Sequence, residues 1–154
     1  MFNAILIVCV GNICRSAIAE RILAEKLGDA QAQVTVKSAG LAAVAGHSAD
    51  DAAATVAARH GTSVDGHIAR QFTADLGRQS DLILVMEPDH KRWIATRYPS
   101  LSGKIMLFDQ WTGGGGIADP YRKSIEFHEE IYKKIESAAS AWAAKLSISA
   151  EKGD

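Results

Sequence analysis

The residues Cys9-Val10-Gly11-Asn12-Ile13-Cys14-Arg15-Ser16 combine a thiol, a guanidinium and a small polar turn within eight positions. They follow an apolar run, Ala4-Ile5-Leu6-Ile7-Val8, and precede a stretch with helical spacing of apolar residues. A helix start presents unpaired N–H groups and the positive end of the helix dipole. A tight loop at that point can aim the amides of Val10, Gly11, Asn12, Ile13, Cys14, Arg15 and Ser16 at one anion. Gly11 is expected to supply a positive φ in the turn. Arg15 adds a planar fork matched to two oxygens of a phosphoryl group. The field that attracts an oxyanion also favours a thiolate, so Cys9 would sit as a nucleophile beneath the phosphorus. The segment lacks the Gly-Lys-Ser/Thr ending of a nucleotide-binding loop. Taken singly, Cys9 also reads as a small buried residue closing a strand. The Cys-to-Arg spacing, the Gly and Asn between them and the following Ser favour the chemical reading.

These residues need a scaffold. Ala4–Val8 is apolar on both faces, as a central parallel strand requires. Ser16–Leu27 reads as a helix with Ile18, Ile22 and Leu23 on one face and Gly28 as its stop. Gln33–Lys37 alternates as a second strand. Ser48–His60 reads as a helix opened by a Ser48/Asp51 capping box and closed at Gly61. Leu82–Val85, within Asp81–Met86, is a third buried strand. Asp89–Tyr98 is a short helix halted before Pro99. Lys104–Phe108 is a fourth strand. Tyr121 to about Leu146 is a long closing helix with an apolar stripe through Ile125, Ile131, Ile135, Ala138, Ala139 and Trp142. Strands separated by helices predict an α/β fold: a three-layer sandwich, a parallel sheet of about four strands, helices on both faces, and the phosphate loop after the first strand. Such sheets bind ligands beyond the carboxyl ends of their strands. Gly113–Gly116, a run of four glycines, reads as a surface loop.

Composition sets limits. The 154 residues suit a single domain spanning 1–154. Hydrophobic residues make up 47% and charged residues 23%, as in a globular protein. With 17 Lys plus Arg against 18 Asp plus Glu, the net charge is −1. That excludes a nucleic-acid binder held by bulk charge, though not a local anion site. Two cysteines make no disulfide framework. The five histidines show no metal-ligand spacing, and the thiolate chemistry requires no metal or other cofactor. No apolar run approaches the ~20 residues of a membrane span. The first basic residue is Arg15, so no basic stretch precedes Ala4–Val10, and a cytoplasmic location is the expectation.

The eight-residue segment resembles the signature of the low-molecular-weight protein tyrosine phosphatases, Cys, five residues, then Arg-Ser. The resemblance continues through Ala19-Glu20-Arg21, Ser38-Ala39-Gly40, His67-Ile68-Ala69-Arg70-Gln71 and Asp119-Pro120-Tyr121, in the family's order along nearly the whole chain. Ala17 stands where the family usually carries Pro, a change expected to cost rigidity rather than mechanism. The resemblance implies hydrolysis of phosphotyrosine through a phosphocysteine, with Asp119 as general acid and then general base. On its own, Asp119-Pro120 reads as a helix N-cap followed by Pro at the first helical position. An ionised Cys9 with a protonated Asp119 would give a bell-shaped pH profile with an acidic optimum. Gly113–Gly116 could let the Asp119 loop move. The resemblance further implies that Asn12, Ser16, Ser38 and His67 form a hydrogen-bond network under the loop, with Ser16 donating to the sulfur. It places Leu41 and Tyr121 as crevice walls. Leu41, Arg122 and the run Asp119–Ser124 look like the bacterial branch paired with tyrosine autokinases of exopolysaccharide and capsule export. The implied partner is a phosphotyrosine protein, a membrane autokinase tail, acted on by a monomer. Cys14 reads equally as a disulfide partner for Cys9 and as a packing residue.

Three rivals are weighed. Thioredoxin-coupled arsenate reductases share the loop but need further cysteines, and none follows Cys14. The cysteine-phosphorylated sugar-transport component needs neither Arg-Ser nor Asp-Pro. A phosphate-binding module could dispense with Cys9 and Asp119.

Overall fold

The computed structural model describes residues 2–28 and 34–152. Strand β1 (Ala4–Cys9) lies between β2 (Thr35–Gly40) and β3 (Leu82–Val85), and β4 (Ile105–Leu107) borders β3. All neighbours are parallel, in the order β2-β1-β3-β4. Five helices accompany them among the described residues: α1 (Arg15–Leu27), α2 (Asp51–Arg59), α3 (Ala74–Gln79), α4 (Pro88–Arg97) and α5 (Ile125–Lys152). The period-2 alternation of the central strands divides the core. Ile5, Ile7 and Cys9 of β1, with Leu82 and Leu84 of β3, pack against α1, α2 and α5. Leu6 and Val8, with Ile83 and Val85, pack against Ile94 of α4, Leu101 and Phe72. The three-layer α/β arrangement expected from the sequence is the one observed.

From β1 the chain moves to β2 on one side and later to β3 on the other. The carboxyl end of β1 is therefore a topological switch point, where open α/β sheets form a ligand crevice. Cys9 is the last residue of β1 and Arg15 the first of α1.

Several boundaries differ from expectation. β2 runs from Thr35 to Gly40 rather than Gln33 to Lys37, because pairing with β1 continues to Cys9↔Gly40; Gln33 lies outside the described residues. α2 starts at Asp51, and its cap is Asp50, whose Oδ2 accepts from the Ala53 amide at 3.1 Å. The Ser48/Asp51 box does not form. α3 was not expected: Thr73 caps it through the Leu76 amide, and Gly77 allows it to press against Leu101 and Phe72. A 3₁₀ segment, Pro99–Lys104, delays β4 to Ile105. α5 begins at Ile125, not Tyr121, since Ser124 accepts from the Phe127 amide at 3.2 Å and Arg122 takes a left-handed φ of 63°. Asp119-Pro120-Tyr121 thus lies in the loop ahead of the helix and caps nothing.

Gly40 marks the closest approach of β2 to the loop after β1. A Cβ there would lie 2.3 Å from the Val10 carbonyl oxygen and 3.1 Å from the Asn12 amide nitrogen. Both are backbone atoms, so neither can swing aside. Gly40→Ala is expected to lower stability by about 1–3 kcal/mol. It should also reduce turnover further than the loss of folded protein accounts for. Urea unfolding and kcat/KM measured on the same preparation check this.

Candidate active site

The loop between β1 and α1 is held from outside by its carbonyls. The carbonyl of Cys9 accepts from the Leu41 amide, that of Val10 from Ala42 and that of Gly11 from Val44. Asn12 O accepts from His67 Nε2 at 2.6 Å, and Ile13 O from the Asp50 amide. Five consecutive carbonyls are thereby directed away from the centre of the loop. The Asn12 amide donates to Cys9 Sγ at 3.3 Å. Among the described residues, the amides of Val10, Gly11, Ile13, Cys14 and Arg15 have no protein acceptor. That is the wiring of an anion nest.

The left-handed residue in the turn is Asn12, with φ 60°, rather than Gly11. Asn tolerates this conformation when its amide finds local partners. Here Asn12 Oδ1 accepts from the Arg70 amide at 3.0 Å. This fixes the side-chain orientation, because a backbone N–H can only donate. Asn12 Nδ2 then donates to Ser16 Oγ at 2.8 Å and to Ser38 Oγ at 3.0 Å. Ser38 in turn donates to Glu20 Oε1 at 2.7 Å. Toward a thiolate, which can only accept, the Ser16 hydroxyl 2.9 Å away donates to Cys9 Sγ. A hydrogen bond donated to sulfur favours the thiolate and a thiolate leaving group alike. Asn12, Ser16, Ser38 and His67 are all buried. The structure brings them together with Glu20 and Arg70, to which the sequence reading gave no role. The only signal for those two was their place in the Ala19–Arg21 and His67–Gln71 blocks.

Arg15 is 1% exposed, a burial that a guanidinium tolerates only when paired. One nitrogen, Nη1, donates to Glu87 Oε2 at 2.7 Å and to the Ile117 carbonyl at 2.8 Å. Nε has no protein partner, and Nη2 lies 3.7 Å from Asp119 Oδ2. Nε and Nη2 form one edge of the guanidinium, the edge that suits two phosphoryl oxygens.

A cavity of about 180 Å³ opens over these groups, lined by Cys9, Val10, Gly11, Ile13, Cys14, Arg15, Ala42, Val44, Asp119 and Tyr121. Val10, Val44 and Tyr121 form an apolar rim, with Tyr121 41% exposed. Leu41, expected as a wall, instead packs against the core on the α4 side of the sheet. β2 ends at Gly40, and in the turn that follows Leu41 joins the core that holds Ala39, while Ala42 lines the cavity. Asp119 is half exposed at the mouth, its Oδ1 accepting from the Tyr121 amide at 3.0 Å. This turn holds the other oxygen near Arg15. Gly113, Gly114 and Gly116 take positive φ values that favour glycine. Gly116 is tied down by Asp109 Oδ2 at 2.9 Å and packs on Pro88, so the run leads into Ile117 and Asp119 from an anchored point.

Cys14 is a buried free thiol, as is Cys9. Burial, with the negative charges of Asp50 and Asp119 adding to it, pushes the Cys14 thiol well above its ordinary range. It therefore remains protonated while lining the same cavity. Among the described residues, no three His, Cys, Asp or Glu side chains converge as metal ligands.

The family model for low molecular weight phosphotyrosine protein phosphatase matches residues 4–152. The chain belongs to that family. It is 48% identical over 146 residues to the low molecular weight protein-tyrosine-phosphatase Etp of Escherichia coli K12, covering 95% of this chain and 96% of that one. Among solved structures, the tyrosine phosphatase Wzb of Escherichia coli K30 in complex with sulphate superposes with a TM-score of 0.90 at 43% identity, covering 95% and 99% of the two chains. Wzb of Vibrio vulnificus in complex with benzylphosphonate gives 0.89 at 45%, covering 94% and 99%. As a low-molecular-weight tyrosine phosphatase, the protein hydrolyses phosphotyrosine by way of a phosphocysteine. Among the described residues, no helix is long and apolar enough to cross a membrane.

Proposed function

We propose that Cys9 is the nucleophile of this phosphatase, that Arg15 and the amides of residues 10–16 hold the phosphoryl oxygens, and that Asp119 protonates the leaving phenolate. The observation that carries this assignment is the position of Cys9 Sγ. It receives the Ser16 hydroxyl at 2.9 Å and the Asn12 amide at 3.3 Å, within the cavity that also contains Arg15 and Asp119. In the first step sulfur attacks phosphorus, the P–O bond to the ring breaks, and Asp119 delivers its proton to the departing oxygen. In the second step Asp119 takes a proton from water, water attacks phosphorus, and the thiolate leaves. Charge on the equatorial oxygens is stabilised throughout by fixed N–H donors. The apolar rim of Val10, Val44 and Tyr121 receives the aromatic ring.

The physiological substrate is a phosphotyrosine-bearing tail of a membrane tyrosine autokinase of exopolysaccharide or capsule synthesis, met in the cytoplasm by a monomeric phosphatase domain spanning 1–154. This rests on the branch resemblance carried by Asp119–Ser124 and on the similarity to Etp and Wzb.

Substrate class is tested by hydrolysis of matched phosphotyrosyl and phosphoseryl peptides in excess EDTA. The ring contacts and the better leaving group are expected to favour phosphotyrosine by about 100-fold or more in kcat/KM. Equal rates would contradict the rim assignment. Binding without turnover would contradict a catalytic role for Cys9.

A further inference from the structure

A buried histidine on the far side of Arg15 is absorbed by none of the chemistry above. His90 lies in the first turn of α4, and Glu87 immediately precedes that helix. Pro88 at the first helical position keeps Glu87 extended, at φ −141° and ψ 150°. Glu87 occupies the cap position, yet its side chain makes no cap bond. It reaches instead to Arg15, with Oε2 accepting from Nη1 at 2.7 Å. His90 Nε2 lies 3.3 Å from the same oxygen.

A carboxylate offers only acceptors, so the tautomer that suits this close contact carries its proton on Nε2, facing Glu87. His90 Nδ1 is then buried with no protein partner. An unsatisfied buried nitrogen is destabilising, and an apolar residue of similar size would avoid it. A histidine here therefore needs a purpose other than packing, and its one polar contact is Glu87. Glu87 is 39% exposed, so by itself its carboxylate would exchange between Arg15 and water. The buried His90 ring, with Nε2 3.3 Å from Oε2, limits that exchange. Burial and the Arg15 charge push the imidazole below its ordinary range, outweighing the opposing pull of Glu87 and Asp119. The ring is thus neutral and leaves the Glu87 charge to Arg15.

We infer that His90 is a positioning residue for phosphoryl binding: by pinning Glu87, it locks the Arg15 guanidinium with its Nε/Nη2 edge toward the cavity. This rests on the proposal that Arg15 holds the phosphoryl group. His90 does not touch substrate, so its effect must pass through Glu87. A misaligned fork weakens oxyanion binding in both the ground state and the transition state.

The test is the competitive inhibition constant of inorganic phosphate, measured with kcat and KM for an aryl phosphate. The variants are His90→Leu, His90→Gln, His90→Asn, Glu87→Gln, the Glu87→Gln/His90→Leu double and Arg15→Lys. His90→Leu is expected to raise the phosphate constant and lower kcat/KM by about tenfold. Gln, which can place an N–H near the Nε2 position, should recover to within about threefold of wild type. Asn is too short and should not; this polar pair decides the question even if the Leu variant folds poorly. The double variant should be no worse than Glu87→Gln alone, since the two residues act in series. The inference is overturned if His90→Leu stays within about twofold of wild type, if Gln and Asn behave alike, or if the double loses the sum of the single effects. Arg15→Lys separates the two claims. Unchanged phosphate inhibition in that variant would overturn the role given to Arg15 itself. Weakened inhibition there, beside a silent His90 series, would overturn only the role of His90.

Discussion

Cys9→Ser is expected to remove turnover by a factor on the order of 10⁴ or more, with the fold and phosphate binding retained. The replacement is close to isosteric at a position 2% exposed, and its surroundings suit an oxygen. The Ser16 hydroxyl and the Asn12 amide, at 2.9 and 3.3 Å from the sulfur, can satisfy a hydroxyl in its place. The chemistry differs because a serine hydroxyl is a far weaker nucleophile and a poorer leaving group than sulfur. Inorganic phosphate should bind the variant much as it binds wild type, because Arg15 and the loop amides are unchanged. Turnover near the wild-type rate would overturn Cys9 as nucleophile, and Cys14 would not be its natural replacement, since burial keeps that thiol protonated.

Asp119→Asn is expected to lower kcat on phosphotyrosine by about 10²–10³-fold. Asn preserves the turn, because its Oδ1 can still accept from the Tyr121 amide. What is lost is the proton for the leaving oxygen. The deficit should therefore shrink on an aryl phosphate with a strongly acidic phenol, whose phenolate departs unaided. A uniform loss across leaving groups would make Asp119 a structural residue.

The residues that touch the phosphoryl group were legible because they are consecutive. Cys9 to Ser16 carry their spacing in the chain itself, and the apolar run before them announces a buried parallel strand. The supporting residues are scattered through the chain. Glu20 and Arg70 support the loop from α1 and from the segment before α3, Glu87 comes from the link between β3 and α4, and His90 stands behind it in α4. Nothing local distinguishes them from surface charges. Glu87 had one readable feature, its position at the carboxyl end of a buried strand beside the switch point. Local signals also misplaced the crevice wall, because Leu41 and Ala42 lie in the turn after β2, where no strand or helix period tells which of the two faces the cavity. The start of α5 was misread for a related reason. Asp119-Pro120 has the composition of a cap, but Asp119 is engaged by Tyr121 and oriented toward Arg15, and Ser124 caps the helix instead.

The most direct test of Cys9 as nucleophile is to quench the Asp119→Asn or Asp119→Ala enzyme during turnover and locate the phosphoryl group by mass spectrometry. Weakening the base of the second step should let the intermediate accumulate. The first tryptic peptide runs from Met1 to Arg15 and contains both thiols, so fragmentation must distinguish them. One added phosphoryl group is expected on Cys9 and none on Cys14. A phosphoryl group on any other residue, or release of phenol with no covalent intermediate at any quench time, would contradict the phosphocysteine assignment.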